Sequence, residues 1–521
     1  MTLERLAGFA LVGVCFFVYT VHSITVMRPN DPVGYVYGGV RIAETGLPSY
    51  YDPNNTSIGP YFSLNAFRVR IADTDPLFNL NYSPGLPLLV ALGHVLAPVA
   101  AFYVVPWLSV VGVAATFSLG TTLFNQRVGL LGATLLALNP VYLRFATEPW
   151  SDIPAMAFMV WGLVLLVHSF RSGKSWWGLL SGFLLGYAFL VRYPSALILV
   201  PVTVFLFWEH RLKLLRMSVA RAFVLALALV ILLILLFNEY YYGGFLSTGY
   251  SSQHHPVAWP LFDASYVLGE SPMGGKNLQA ILETLSAGFA FSWPLIVLGL
   301  LLVRGSTLAL LAGTTATFLV FYGLYLWPPR DFGGRFLIAV FPMLCTVAGH
   351  GLDWAILRLK GTKGARWALL AGLVIALALT VPGSTDALDQ LRARNAGAAR
   401  RVDLVQQLAE STEEEAVFIC AWHCDLLIVY GHRSAMNLLS VAAAAGYLSP
   451  KFEEYLALAV DELLSRQSPV YYVDDSLPLF LSDVRPKEIL SARYQLAPWR
   501  DQDSMLPSIY RVGLLHSRDG S

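Results

Sequence analysis

The stretch RAFVLALALVILLILLFN, residues 221–238, carries no charged side chain after Arg221. A helix of about 20 apolar residues is what crosses a hydrocarbon core about 30 Å thick. Its two flanks differ. The preceding segment 209–221 (EHRLKLLRMSVAR) holds Arg211, Lys213, Arg216 and Arg221, whereas Tyr240, Tyr241 and Tyr242 follow. Basic loops favour the cytoplasmic side and tyrosines collect at the lipid–water boundary. The stretch therefore reads as a membrane span with a basic end and an aromatic end.

Working outward, comparable runs occupy 6–27, 101–123, 128–146, 153–170, 176–191, 194–208, 281–303, 307–327, 335–353 and 366–383. Composition agrees: 56% of residues are hydrophobic, 13% are charged and the mean hydropathy is +0.58. Soluble chains carry about 25% charged residues, so lipid must cover much of this surface. The net charge of +1 offers nothing to a nucleic acid. Residues 6–27 lack a basic leader beyond Arg5 and a small-residue cleavage site, and read as a retained span.

The run 84–98 (PGLPLLVALGHVLAP) is short and bracketed by prolines. Treated as an interfacial helix, it leaves about eleven spans and puts both densest basic loops, 209–221 and 354–366, on the side of the N-terminus. The N-terminus is then cytoplasmic, and the outer segments are 28–100, 147–152, 192–193, 239–280, 328–334 and the tail. The expected architecture is an all-α polytopic membrane domain over 1–383 and a soluble, non-cytoplasmic α/β domain over 384–521. In the tail, 417–419, 470–473 and 509–512 read as strands, and 451–466 has helical periodicity. Cys15 and Cys345 lie in apolar runs as packing residues. Cys420 and Cys424 lack a second ligand pair for zinc and, read as part of one strand, stand too far apart to bridge.

The polar residues that could do chemistry collect on the outer segments. Asp31 follows the first span in N-D-P-V-G-Y, where an ordinary turn explains it equally well. Glu148 and Asp152 bracket E-P-W-S-D, which also suits a helix stop and a cap. Two acids at a hydrophobic boundary are nevertheless costly unless paired or used. Arg192, Arg330 and Arg335 lie on the side where positive charge is sparse, and guanidinium groups fit phosphate oxygens. Snorkelling is the plainer use for them. The loop 239–280 adds His254, His255 and Trp259, with sugar or acceptor contacts as the expected role. Asp73-Thr74-Asp75-Pro76 is a D-x-D that also fits a turn before proline. No cofactor is firmly implied; a divalent cation is the one candidate.

Taken in order, these motifs resemble the GT-C superfamily of membrane glycosyltransferases, in the branch with protein mannosyltransferases and aminoarabinose transferases. The matching pieces are Asp31 with Tyr35 and Tyr37, Y-S-P-G-L-P-L-L at 82–89 and L-F-N-Q-R-V-G-L-L-G at 123–132. L-N-P at 138–140, S-D-I-P-A at 151–155, V-R-Y-P-S at 191–195 and G-R-F-L-I-A-V-F-P at 334–342 complete the set. The likeness spans residues 1 to about 350. It implies a polyprenyl-phosphate-linked sugar donor arriving through membrane lipid, and transfer to a lipid, glycan or protein acceptor on the outer face of a cell membrane. It matches Asp31 to the family's first-loop acid and Asp152 to the second-loop acid, with Glu148 competing. Pro32 stands where the family often has a second acid.

The residues suit that chemistry independently. A sugar phosphate already has a good leaving group, so one carboxylate to take the acceptor proton suffices, with fixed positive charge for the phosphate. The expectation is Asp31 as base, Asp152 or Glu148 orienting the acceptor or a cation, Arg192, Arg335 and Arg330 on the donor phosphate, and Tyr35, Tyr82, His254 and His255 against substrate. A transporter or flippase is the rival reading and predicts ionisable groups at span centres. A non-catalytic scaffold predicts that these residues lie apart.

Overall fold

The computed structural model describes residues 2–29, 31–71, 75–250, 260–269, 276–290, 292–327, 334–360, 365–446, 449–475, 477, 484–500 and 507–515. The opening stretch lies within one helix, Ser218–Tyr242, which Gly243 ends in the left-handed region (φ 75°). One face of it packs on the helix Ser175–Val191, where Gly178, Gly182 and Gly186 admit Val219, Phe223 and Val230. Small residues at such spacing let helices close in lipid, where packing rather than water expulsion holds them together. The other face presents Val224, Leu225, Leu229, Leu232, Leu233 and Leu236, each 49–66% exposed. In water that face would be an aggregation site; in a bilayer it is solvated.

Among the described residues, seven helices are long and apolar enough to cross a membrane, or nine if each of two bent pairs is one span. The expected span 128–146 is one of those pairs: Gln126–Ala137 and Pro140–Ala146 meet at 68°. Asn139 causes the break, because its side chain accepts from the amides of Val141 and Tyr142 and caps a new helix with Pro140 in its first turn. The span expected at 366–383 begins a longer helix, Ala365–Glu410, which continues into the tail. The helix Gly85–Leu96, at 12 residues, rises about 18 Å and is too short to cross.

The two ends of the bundle differ. At one end Thr2 donates to Gln126 (2.6 Å), Arg127 pairs with Asp353 (3.0 Å) and Ser175 meets Ser218 (2.9 Å). These are the short basic connections. At the other end lie the segment 22–103 and the tail. That segment forms a three-stranded antiparallel sheet of β1 (Ser49–Tyr51), β2 (Phe67–Val69) and β3 (Leu77–Leu80), with β3 central.

The tail is α/β. Strands β4 (Val417–Cys420), β5 (Ser434–Asn437) and β6 (Val470–Val473) are parallel with β4 between the others. β8 (Ile509–Leu514) then pairs antiparallel with β6, and β7 (Tyr494–Arg500) closes that edge. These two pieces, the segment 22–103 and the tail, share one core of Leu64, Phe67 and Phe78 with Phe418, Leu427 and Tyr471. Hydrogen bonds lock their register: the Asn65 amide donates to Asp425 (2.7 Å), and Asn437 Nδ2 to the Ser63 carbonyl (3.0 Å).

The cysteine expectation is corrected. Cys420 and Cys424 are disulfide-bonded, with Cα atoms 5.4 Å apart. The strand ends at Cys420, the chain turns through Ala421–Trp422–His423, and Cys424 opens the helix Cys424–Val429. Only the turn brings the two within bridging distance.

Candidate active site

Four charged residues from distant parts of the chain meet at the end of the bundle that carries the tail. Asp31 opens the helix Asp31–Thr45, and Asp152 opens Asp152–Ser172. Helix N-termini carry partial positive charge, which favours an acid there. Arg192 is the extended residue between Ser175–Val191 and the 3-10 turn Tyr193–Ile198. Arg335 opens the 3-10 turn Arg335–Val340 behind Gly334, whose φ of 76° suits glycine. A Cβ at Gly334 would also lie 2.2 Å from the Thr284 side chain.

The four form a chain of ion pairs. Arg335 Nη2 is 2.7 Å from Asp31 Oδ2, and its Nε is 3.9 Å from Asp152 Oδ2. Arg192 Nη1 is 3.2 Å from Asp152 Oδ1. Asp152 and Arg335 are 4% and 5% exposed. Burying such charges is costly unless they are paired, and this set sums to zero. Neither carboxylate oxygen of Asp152 has a hydrogen-bond partner among the described residues, so its electrostatic partners are the two arginines.

Hydroxyls and rings line the cluster. Tyr82 donates to Asp31 Oδ1. The Tyr35 hydroxyl is 2.8 Å from Ser151 Oγ, which also accepts from Arg192 Nη1 at 3.2 Å. The Tyr35 and Tyr82 rings lie 5.0 Å apart, and Tyr250 stands 6.2 Å from Tyr82. Burial first, and the charge of Asp31 second, push the Tyr82 hydroxyl well above the ordinary tyrosine range. It is thus a neutral donor. Gly34 makes this possible, since a Cβ there would sit 2.7 Å from the Tyr82 ring and 2.6 Å from Ala66. Arg335 lies 4.0 Å over the Trp150 ring and 4.9 Å over Phe336, and Arg192 is 4.7 Å over Phe336. Aromatic faces hold guanidinium groups without taking their hydrogen bonds.

Asp31, Asp152, Arg192, Arg335, Tyr35 and Tyr82 therefore gather at one place. Glu148 does not join them: it pairs with Arg28 (2.9 Å) and Arg394 (3.9 Å), and accepts from Trp150 Nε1 (2.8 Å). Tyr37 packs edge-on against Phe67 instead, at 5.8 Å. Arg330, His254 and His255 lie outside the described residues, as do Asp73 and Trp259. Asp75 accepts from the Leu77 amide at 2.9 Å in a turn. Among the described residues no three His, Cys, Asp or Glu side chains are grouped to hold a metal. Sequence reasoning missed Trp150, Ser151, Phe336 and Tyr250. Trp150 and Ser151 lie in the pentapeptide E-P-W-S-D, Phe336 adjoins Arg335 and Tyr250 lies in the loop 239–280, which was the available signal.

Residues 83–237 match the family model described as dolichyl-phosphate-mannose-protein mannosyltransferase. No curated protein matches the chain in sequence. ArnT from Cupriavidus metallidurans in the apo state is 13% identical with a TM-score of 0.61, covering 97% of each chain. Its structure bound to undecaprenyl phosphate is 12% identical with the same TM-score, covering 96% of this chain and 97% of that one. The Archaeoglobus fulgidus oligosaccharyltransferase, tethered to an acceptor peptide, is 13% identical with a TM-score of 0.58, over 90% of this chain and 69% of its own. The fold is that of the GT-C superfamily. With the family match over residues 83–237, the protein class this chain most resembles is the integral-membrane glycosyltransferases.

Proposed function

We propose that the chain moves a sugar from a polyprenyl-phosphate-linked donor to an acceptor hydroxyl on the non-cytoplasmic face of the cell membrane. The observation that carries this is the chain of pairs in which Asp31 meets buried Arg335, while Arg335 and Arg192 both meet Asp152. In the transfer step the acceptor oxygen bonds to the anomeric carbon while the bond from that carbon to the phosphate oxygen breaks. The acceptor proton passes to Asp31, and the leaving polyprenyl phosphate gains one negative charge. Arg335 and Arg192 answer that charge as it develops.

The ion-pair chain suggests how this is timed. Arg335 pairs with Asp31, so the carboxylate that would take the proton is occupied. A donor phosphate competes for the guanidinium and releases Asp31 to accept the proton. Asp152 keeps both arginines in place from behind. The non-cytoplasmic placement rests on the basic connections, which share the opposite end of the bundle. The transport reading is the weaker one, because these charges sit at helix ends rather than along span centres.

Membranes bearing the protein, incubated with radiolabelled polyprenyl-phosphate sugars, should move label into an acceptor fraction. Asp31→Asn should lower the rate at least about 100-fold, the usual scale for losing a positioned base. An unchanged rate in that variant removes Asp31 as base.

A further inference from the structure

The neighbouring charges around Glu148 do not balance. Glu148 is 2% exposed and meets Arg28 at 2.9 Å and Arg394 at 3.9 Å. A third arginine, Arg144, feels the charges of Arg394, Glu148 and Arg28. Two guanidinium groups thus pair with one carboxylate and a third stands within reach of their charges, on elements as distant as the first loop, the bent helix Pro140–Ala146 and the helix Ala365–Glu410. Among the described residues the Arg144 guanidinium makes no hydrogen bond or ion pair, and its Nε is buried without a partner. Its one described contact is with the Phe145 ring, at 5.3 Å.

The cluster is reachable. A cavity of about 540 Å³ is lined by Arg144, Lys276, Gly334, Gly383 and Gln390, and Gln390 lies about one helical turn before Arg394. Glu283 and Asp386 also line it, but both are exposed, and Glu283 accepts from Gln279 (2.8 Å). Arg144 lines the cavity part-buried, whereas the two acids that line it are exposed. Trp150 separates this cluster from the site above: its indole donates to Glu148, while its ring carries Arg335.

We infer that Arg144, with Arg394 and Arg28, forms a second anion-binding site that takes a phosphate group through this cavity, alongside the site that holds the donor. An anion there supplies the missing negative charge and gives Arg144 the forked hydrogen bonds that guanidinium groups make with phosphate oxygens. The phosphate could be carried by a membrane lipid headgroup or by a soluble ligand, and the test separates the two. Its readout is binding, so it stands or falls apart from the transfer assay.

The full chain, purified in neutral detergent, is titrated with inorganic phosphate while its melting temperature is followed. Phosphate should raise the Tm saturably, Arg144→Gln should weaken the apparent affinity at least tenfold, and Arg144→Lys should retain part of it. In nanodiscs, a stabilisation by phosphatidylglycerol over phosphatidylcholine that disappears with Arg144→Gln assigns the site to a headgroup. If Arg144→Gln does not fold, Lys276→Gln at the rim should still weaken phosphate about threefold. The inference is overturned if neither phosphate nor phosphatidylglycerol depends on residue 144. It is also overturned if the phosphate effect is lost in Arg192→Gln, which would place the anion in the neighbouring cluster.

Discussion

Glu148 and Asp152 stand in one pentapeptide, yet each anchors a different electrostatic world. Asp152 belongs to a set of two acids and two arginines, nearly sealed from water and neutral. Glu148 belongs to a set of one acid and three arginines that a cavity reaches. Trp150, between them in sequence, is also the wall between them in space. A neutral set can be buried without a ligand and rearranges when a charged substrate enters. A set with surplus charge is incomplete until something joins it. The difference separates a place where charge moves from a place where charge is held.

Removing one acid from each set should break the comparison most sharply. Asp152→Asn takes the carboxylate away from Arg192 and leaves Arg335 with Asp31, and breaking a buried pair costs about 3–5 kcal/mol. Glu148→Gln should cost less, because Arg28 and Arg394 are each 32% exposed and water screens them. Thermal melts in detergent would show the larger Tm drop for Asp152→Asn, and the drop for Glu148→Gln should shrink as phosphate is added. Equal drops with no response to phosphate would mean the two sets do not differ as argued.

How far sequence alone could reach follows from where these residues sit. Asp31, Asp152, Arg192 and Arg335 all stand at helix ends, where hydropathy leaves them as charged interruptions between apolar runs, so they could be read. Which acid meets which arginine could not be read, because Arg28, Arg394 and Arg335 lie 120 residues or more along the chain from the acids they meet. The tail behaves likewise. Buried central strands such as Val417–Cys420 and Val470–Val473 announce themselves as apolar runs. The edge strands Ser434–Asn437 and Tyr494–Arg500 do not: one is small and polar, and the other contains Pro498, which an edge tolerates. The disulfide stayed hidden because it depends on a turn beginning immediately after Cys420.

A smaller perturbation sharpens the comparison from within the neutral set. Gly34→Ala would put a methyl group 2.7 Å from the Tyr82 ring, so the ring must move and its hydroxyl must leave Asp31. Transfer should fall about tenfold, while phosphate binding at Arg144 should be unchanged, since sites without shared partners seldom couple. A fall in both would show that the two sets communicate through the helix Asp31–Thr45.

The mildest change is Tyr82→Phe, which removes one donor and keeps the ring. A hydrogen bond to a charged acceptor contributes about 1.5–3 kcal/mol, so some loss of transfer rate is expected. The pH dependence is the more specific reading. Folding raises the pKa of Tyr82 above its unfolded value near 10. The neutral hydroxyl is then favoured only in the folded state, so its contribution is fully present below about pH 10. It is lost as pH climbs through the interval up to the raised folded pKa, because the unfolded chain ionises first. Tyr82→Phe should flatten part of the fall in Tm measured above pH 10. If wild type and variant lose stability in parallel there, the hydroxyl is not the neutral donor on which the pairing with Asp31 depends.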